Sequence, residues 1–195
     1  VFTFGTAWVY KHLEKDIIVA NCHKVPQKEF VKQLLSPDDV SDVLLGIETK
    51  LRTINPTCSI INTVSPVRHI KDGLIENSRS KAHLIAGVQE IVSPDKFNYY
   101  FPSYEIMMDE LRDYRYYKED LIHPNQTAIA IIWTAFTGSW ICPETAALQK
   151  KIATIQSGML HTPFNENSKA HIHFKKDLEV QISQVQKALP WVTFL

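Results

Sequence analysis

Three short apolar runs alternate with two long helical patterns in the first half of the chain, and this order constrains the fold most. The runs span residues 1–4, 58–64 and 97–101. The middle run, CSIINTV, is nearly continuous in apolar residues, a pattern typical of a central parallel strand. Because helical patterns separate the runs, the sequence predicts an α/β fold whose parallel strands are joined by right-handed crossovers.

The helical patterns have recognisable starts. Ser36 is a predicted N-cap with Pro37 at the first helical position, and a helix is predicted over residues 37–54. A second helix is predicted over residues 76–92, with an apolar side that includes Ala82, Ile85 and Ala86.

Two weaker patterns lie before the first helix. The run DIIVA at residues 16–20 predicts a short strand in an edge hairpin. Residues 26–35 are amphipathic, and we interpret them as helical.

The carboxyl-terminal third carries further helical patterns. Asn125 is the predicted cap of an apolar helix that we interpret as buried, and from Pro143 onward the helices become polar. We therefore predict a main α/β domain over residues 1–138 and a helical extension packed on it over residues 139–195.

Composition limits the classes of function. The 195 residues carry 21 basic and 21 acidic side chains, so the net charge of zero argues against a dedicated nucleic-acid binder. The uncharged stretch between Pro124 and Pro143 has an apolar centre shorter than the roughly 20 residues that span a bilayer, so no membrane span is predicted. Three cysteines, an odd count without a close pair, favour a reducing, cytoplasmic compartment.

One loop combines residues suited to acid–base chemistry. Asp120 precedes His123 by three residues, and Pro124 biases His123 towards an extended conformation. An aspartate that accepts a hydrogen bond from one imidazole nitrogen leaves the other nitrogen to take a proton from a hydroxyl. In parallel α/β sheets such sites lie at the carboxyl ends of strands, so the loops after residues 4, 64 and 101 are predicted to meet at the same cleft.

Several long motifs resemble one family. TFGTAWVY (3–10), VANCHKVP (19–26), TVSPVRHIKDG (63–73), YFPSYEIMMDELRDYRYY (100–117) and DLIHP (120–124) are similar, in this order, to the GSCFA-domain proteins. The helical tail resembles the extension of bacterial members.

The resemblance implies a fold and an activity. That family is similar to the SGNH/GDSL hydrolases, which implies a flavodoxin-like three-layer α/β/α fold and ester hydrolysis through a serine. Asp120 and His123 then match the acid and base, Gly5 begins the Gly-x-Asn block, and Ala7 stands where that block has Asn. The implied cleft and oxyanion region is lined by Gly5, Thr6, Ser65, Arg68 and His69.

The Gly-Ser-Cys-Phe-Ala motif, whose serine resembles the nucleophile, does not occur in the 195 residues. We therefore expect a carboxyl-terminal portion of such a protein, with the serine supplied from outside it. Alone, it is expected to lack esterase activity. Because its first strand is expected to have an open edge, it is expected either to be poorly soluble or to pair along that edge with the missing segment or another chain.

Other combinations have simpler readings. Ser65 and His69 could form a second pair, although a serine before Pro66 more often satisfies nearby backbone. Arg68 could hold a carboxylate or phosphate, but we predict instead a structural ion pair with Asp72 or Glu76. Cys22 beside His23 could suggest a thiol nucleophile, but we interpret it as a buried structural cysteine. We interpret residues 112–118 as an ion-paired loop beside the cleft. Three histidines are interpreted as surface residues: His161, His171 and His173.

The sequence thus predicts a hydrolase of small-molecule or glycan esters that needs no metal or other cofactor. The alternative is a non-catalytic domain of the same fold that binds carbohydrate or protein. A serine within hydrogen-bond reach of His123 would distinguish the two.

Overall fold

The computed structural model of the protein describes residues 1–19, 22–165 and 168–194. Its strands are β1 (Phe2–Phe4), β2 (Trp8–His12), β3 (Ile17–Val19), β4 (Phe30–Leu34), β5 (Ile60–Val64) and β6 (Asn98–Tyr100). Its α-helices are α1 (Pro37–Ile54), α2 (Leu74–Ile91), α3 (Ser103–Glu105), α4 (Gln126–Trp140), α5 (Ala146–Met159) and α6 (Lys169–Ala188). Two compact units are present, Val1–Thr134 and Ala135–Leu195.

The predicted parallel sheet is confirmed. Strands β1, β5 and β6 form a three-stranded sheet in the order β1-β5-β6, and both pairs of neighbours are parallel. Helix α1 lies between β1 and β5 along the chain, and α2 lies between β5 and β6. The carboxyl ends of β1 and β5 therefore meet at one edge, where Ser65 N donates to Phe4 O at 2.9 Å.

A second sheet departs from the prediction. Strand β2 pairs antiparallel with β3 on one side and β4 on the other. The helix predicted over residues 26–35 is wrong, because only a short 3-10 turn, Gln27–Glu29, precedes β4. Half-buried and exposed residues alternate along β4, which is the two-residue period of a strand. The predicted strand DIIVA becomes β3, while its Ala20 and the neighbouring Asn21 of the motif VANCHKVP lie outside the described residues.

The core of the first unit lies against α1 and α2. It is formed by seven buried residues: Ala7, Val40, Leu44, Val64, Leu84, Val88 and Ile91. The predicted N-cap of α1 is confirmed, because Ser36 and Asp39 form a reciprocal capping box. The apolar side predicted for α2 is partly wrong: Ala82 and Ala86 are exposed, and Ser80 and Lys81 are buried instead.

Helix α4 is capped as predicted but is not buried. Asn125 Oδ1 accepts from Ala128 N at 3.1 Å. Ala128 is fully buried, whereas Ile129 and Trp133 remain 45% and 57% exposed. The apolar side chains of this helix lie on all of its sides, and other residues cover only some of them. Among the described residues, no helix has both the length and the apolar character that crossing a bilayer requires.

The second unit contains α5 and α6 and corrects the reading of one histidine. His171 is buried, with its ring 6.1 Å from that of Phe174, because the α6 helix turns it inward. His161 contacts the same Phe174 ring, whereas His173 faces Asp177 at 3.4 Å. Two of the three histidines therefore share an aromatic contact.

Close approach of α1 and α2 yields a stability prediction. A Cβ at Gly87 would lie 2.6 Å from Pro37 O and 2.7 Å from Val40 Cβ. We expect Gly87→Ala to lower the free energy of unfolding by about 1–3 kcal/mol through overpacking. Urea denaturation measures this loss. The matched control is Gly46→Ala in α1, where nothing lies within 4 Å and the helix should gain stability. Equal effects of both substitutions would contradict the packing role of Gly87.

Candidate active site

The Asp120–His123 loop is closed by backbone hydrogen bonds at its base. Tyr117 and Pro124 form an antiparallel bridge, and Lys118 N donates to His123 O at 2.8 Å. Leu121, at the tip, has a φ of +55°, a left-handed conformation that lets the chain reverse within a few residues. Asp120 and His123 are thereby brought to the same side of the loop.

The side chains of Asp120 and His123 are in direct contact. His123 Nδ1 lies 2.7 Å from Asp120 Oδ2. The other carboxylate oxygen, Oδ1, accepts from the backbone N–H of Ile122 at 2.8 Å and of His123 at 3.0 Å. The backbone N–H and then the side chain of His123 are the main causes that lower the pKa of Asp120 to about 2. Asp120 is thus ionised at neutral pH. Because an ionised carboxylate can only accept a hydrogen bond, His123 Nδ1 carries the proton and donates it to Asp120.

His123 opens into a cleft of about 420 Å³. The loops after β1 and β5 supply part of its wall, through Thr6 and through Arg68 and His69. The second sheet supplies Trp8, Tyr10 and Lys32. Of the five residues predicted to line the cleft, Thr6, Arg68 and His69 therefore do so, whereas Gly5 and Ser65 are not among its lining residues.

Arg68 connects the loop after β5 to the Asp120–His123 loop. Its backbone N donates to Ile122 O at 3.3 Å, and its Nη1 donates to Leu121 O at 3.0 Å. Among the described side chains, Arg68 lies within ion-pair distance of neither Asp72 nor Glu76, so the predicted ion pair is wrong; Asp72 pairs with Lys32 instead. Arg68 also lines a neighbouring cavity of about 530 Å³ with Met107, Met108, Arg112, Asp113, Tyr114 and Tyr117.

Gly5 allows His69 to pack directly against the end of β1. A Cβ at Gly5 would lie 3.0 Å from His69 Nε2, closer than side chains usually approach. The backbone N of His69 donates to Asn77 Oδ1 at 2.7 Å, which holds the loop to α2. Burial, followed by the charge of Lys81, lowers the pKa of His69 against the opposing effect of Asp72.

Lys81 is a buried cation that the sequence analysis missed. Its side chain projects from α2, is 1% exposed, and donates to Gly5 O at 2.6 Å and Ser65 O at 2.7 Å. Burial lowers its pKa from 10.5 to about 8. The neighbouring Ser80 accepts from Ala7 N at 2.7 Å and lies 2.9 Å from Thr6 Oγ1. Together, these two residues of α2 fix the loops after β1 and β5.

Ser65 Oγ and the Ala7 backbone N–H, two other groups at predicted site positions, already take part in hydrogen bonds. Ser65 Oγ accepts from Val67 N at 3.2 Å, so it satisfies local backbone as expected for a serine before proline. Ala7 is 1% exposed and its N–H is bonded to Ser80, so it presents no donor to the cleft. The predicted burial of Cys22 is wrong, because this free thiol has intermediate exposure.

Comparison with known proteins identifies one family. The sequence model of the GSCFA family matches residues 1–136. No curated protein and no solved structure matches the chain. Every residue that lines the His123 cleft lies inside the matched region.

Proposed function

Because the chain belongs to the GSCFA family, we propose that it forms the acid–base part of an SGNH-type hydrolase of small-molecule or glycan esters. The observation that carries the proposal is the 2.7 Å contact between His123 Nδ1 and Asp120 Oδ2. It is supported by the position of His123 in a cleft beside the loops that follow two parallel strands.

The contact assigns a role to each nitrogen of the imidazole. Ionised Asp120 accepts Nδ1–H, which leaves the lone pair on Nε2. His123 Nε2 then takes the proton of a serine hydroxyl as its oxygen attacks the ester carbonyl. The resulting imidazolium gives that proton to the leaving alcohol, and water later releases the acyl group by the same route. Asp120 orients the ring and stabilises its charged form throughout.

The oxyanion of this reaction needs donors other than residue 7. In the Gly-x-Asn block that the motif resembles, an asparagine side chain occupies this position. Here Ala7 is buried and its backbone N–H is bonded to Ser80. The proposal therefore assigns oxyanion stabilisation to other N–H groups at the cleft.

The proposal requires a serine hydroxyl at His123 Nε2, and labelling identifies it. The full-length gene product is treated with a fluorophosphonate probe and the modified peptide is mapped. We expect one serine to be labelled, at a rate that falls sharply in His123→Ala. A folded protein that is not labelled would contradict the hydrolase proposal, and labelling of Ser65 would place the nucleophile within these 195 residues.

A non-catalytic binding domain for carbohydrate or protein is the second candidate. It is favoured by the burial of Ala7 and by the lack of a serine hydrogen-bonded to His123 in the part of the chain that the structure describes. Saturable binding of a glycan or protein, without fluorophosphonate labelling of the full-length product, would support this candidate.

A further inference from the structure

The His123 cleft has more positive than negative side chains. Its lining includes three cations, Lys32, Arg68 and Lys71, and one carboxylate, Asp72. Asp72 is already paired with Lys32. Among the described residues, neither Arg68 nor Lys71 has a carboxylate within ion-pair distance, so two positive charges remain uncompensated at the cleft.

Arg68 is held in place before any ligand arrives. Its Nη1 donates to Leu121 O, and its guanidinium carbon lies 5.9 Å from the centre of the Tyr117 ring. A guanidinium carries five N–H donors in a planar fork that suits carboxylate and phosphate oxygens. One of these donors is used by Leu121, which fixes the side chain and leaves others for a ligand.

The aromatic residues of the cleft support a charged ligand over a neutral sugar. Trp8 and Tyr10 would be the natural stacking surfaces for a sugar ring. Lys32 Nζ, however, lies 5.0 Å from the Trp8 ring centre and 5.8 Å from that of Tyr10. One face of each ring is therefore engaged with an ammonium group, whereas Arg68 and Lys71 offer unused charge.

We infer that this cleft binds a substrate through an anionic carboxylate or phosphate group, held by Arg68 and Lys71 beside His123. The inference deepens the proposed function, because it rests on that function for the ester bond and adds the charge class of the substrate. Arg68 supplies directed hydrogen bonds, and the exposed Lys71 supplies attraction at the rim of the cleft.

Titration at low ionic strength tests the inference without any turnover. Succinate and inorganic phosphate are the probes, succinamide is the neutral control, and calorimetry and amide chemical shifts report binding. We expect saturable binding of at least one anion and none of succinamide. Succinate alone would indicate a carboxylate ligand, and phosphate alone a phosphorylated one. Failure of both anions to bind, or equal binding of succinamide, would overturn the inference.

Substitutions locate the binding site. Arg68→Gln should weaken anion binding by about tenfold, and the exposed Lys71→Gln by about threefold. Arg68→Lys should retain part of the affinity, because it keeps the charge and loses the planar fork. Lys50→Gln, an exposed position of α1, is the matched control and should leave the affinity unchanged. An equal loss in Lys50→Gln would overturn the assignment to this cleft.

The two proposals fail in different ways. A protein that binds succinate or phosphate through Arg68 but is not labelled by fluorophosphonate retains the anion site and loses the hydrolase assignment. A labelled protein whose cleft binds neither anion retains the hydrolase assignment and loses the anion site.

Discussion

Replacing His123 with Ala should abolish ester turnover by the full-length protein, and Asp120→Asn should lower kcat by a factor on the order of 10⁴. The first change removes the base. The second removes the charge that holds Nδ1–H, so the ring can adopt the tautomer with its lone pair on the wrong nitrogen. Asparagine keeps an oxygen that can accept from the N–H groups of Ile122 and His123, so the loop is expected to persist. Hydrolysis of p-nitrophenyl acetate measures both effects.

Asp113→Asn is the matched control for Asp120→Asn. Asp113 also accepts a backbone hydrogen bond within a turn, from Arg115 N at 2.8 Å, but it pairs with no histidine among the residues that the structure describes. We expect this variant to keep near wild-type turnover. Comparable activity in Asp120→Asn and in Asp113→Asn would refute the orienting role of Asp120, even if His123 proved essential.

The geometry that supports these predictions could be read largely from local sequence. Asp120 and His123 are three residues apart, and Pro124 directs the chain after them, so their contact depends on few other elements. The parallel strands were equally accessible, because the apolar run around β5 and the helical patterns on both sides of it leave few alternatives. The spacing of Asp120 and His123 suffices to predict their contact, and the helices between the apolar runs suffice to predict parallel strands.

Features that depend on distant partners could not be read in this way. Strand β4 is stable as a strand because β2 pairs with it, with Tyr10 opposite Lys32, and this pairing has no signature in residues 26–35 alone. The burial of Lys81 depends on two carbonyl oxygens from other loops, those of Gly5 and Ser65. A helical pattern predicts that a lysine is exposed. The sequence analysis therefore assigns Ala82 and Ala86, and not Lys81, to the buried face of α2. Nothing in the local sequence marks Lys81, which follows Arg79 and Ser80 and precedes Ala82.

Lys81→Ala should be strongly destabilising, because the carbonyl oxygens of Gly5 and Ser65 lose their donor and the side chain leaves a cavity. At pH 9.5, where native Lys81 is mostly neutral and has no buried charge to solvate, we expect a loss of about 3–5 kcal/mol in the free energy of unfolding. Urea denaturation measures it. Lys50→Ala, at an exposed position of α1, is the control and should change stability by less than about 0.5 kcal/mol. Similar losses in both variants would contradict the bracing role of Lys81.

The pH dependence of stability separates the charge of Lys81 from its packing. Because the pKa of Lys81 falls from 10.5 to about 8 on folding, the unfolded chain binds more protons between these values, and stability rises with pH. From pH 7.5 to 9.5 this group should add about 2 kcal/mol, and Lys81→Met, which fills the same space, should lack that rise. The lowered pKa of His69 affects the stability only at pH values below this range. The raised pKa values of Tyr104 and Tyr117 reduce stability only above about pH 10. Identical pH slopes for the wild-type protein and Lys81→Met would show that Lys81 is not a desolvated cation.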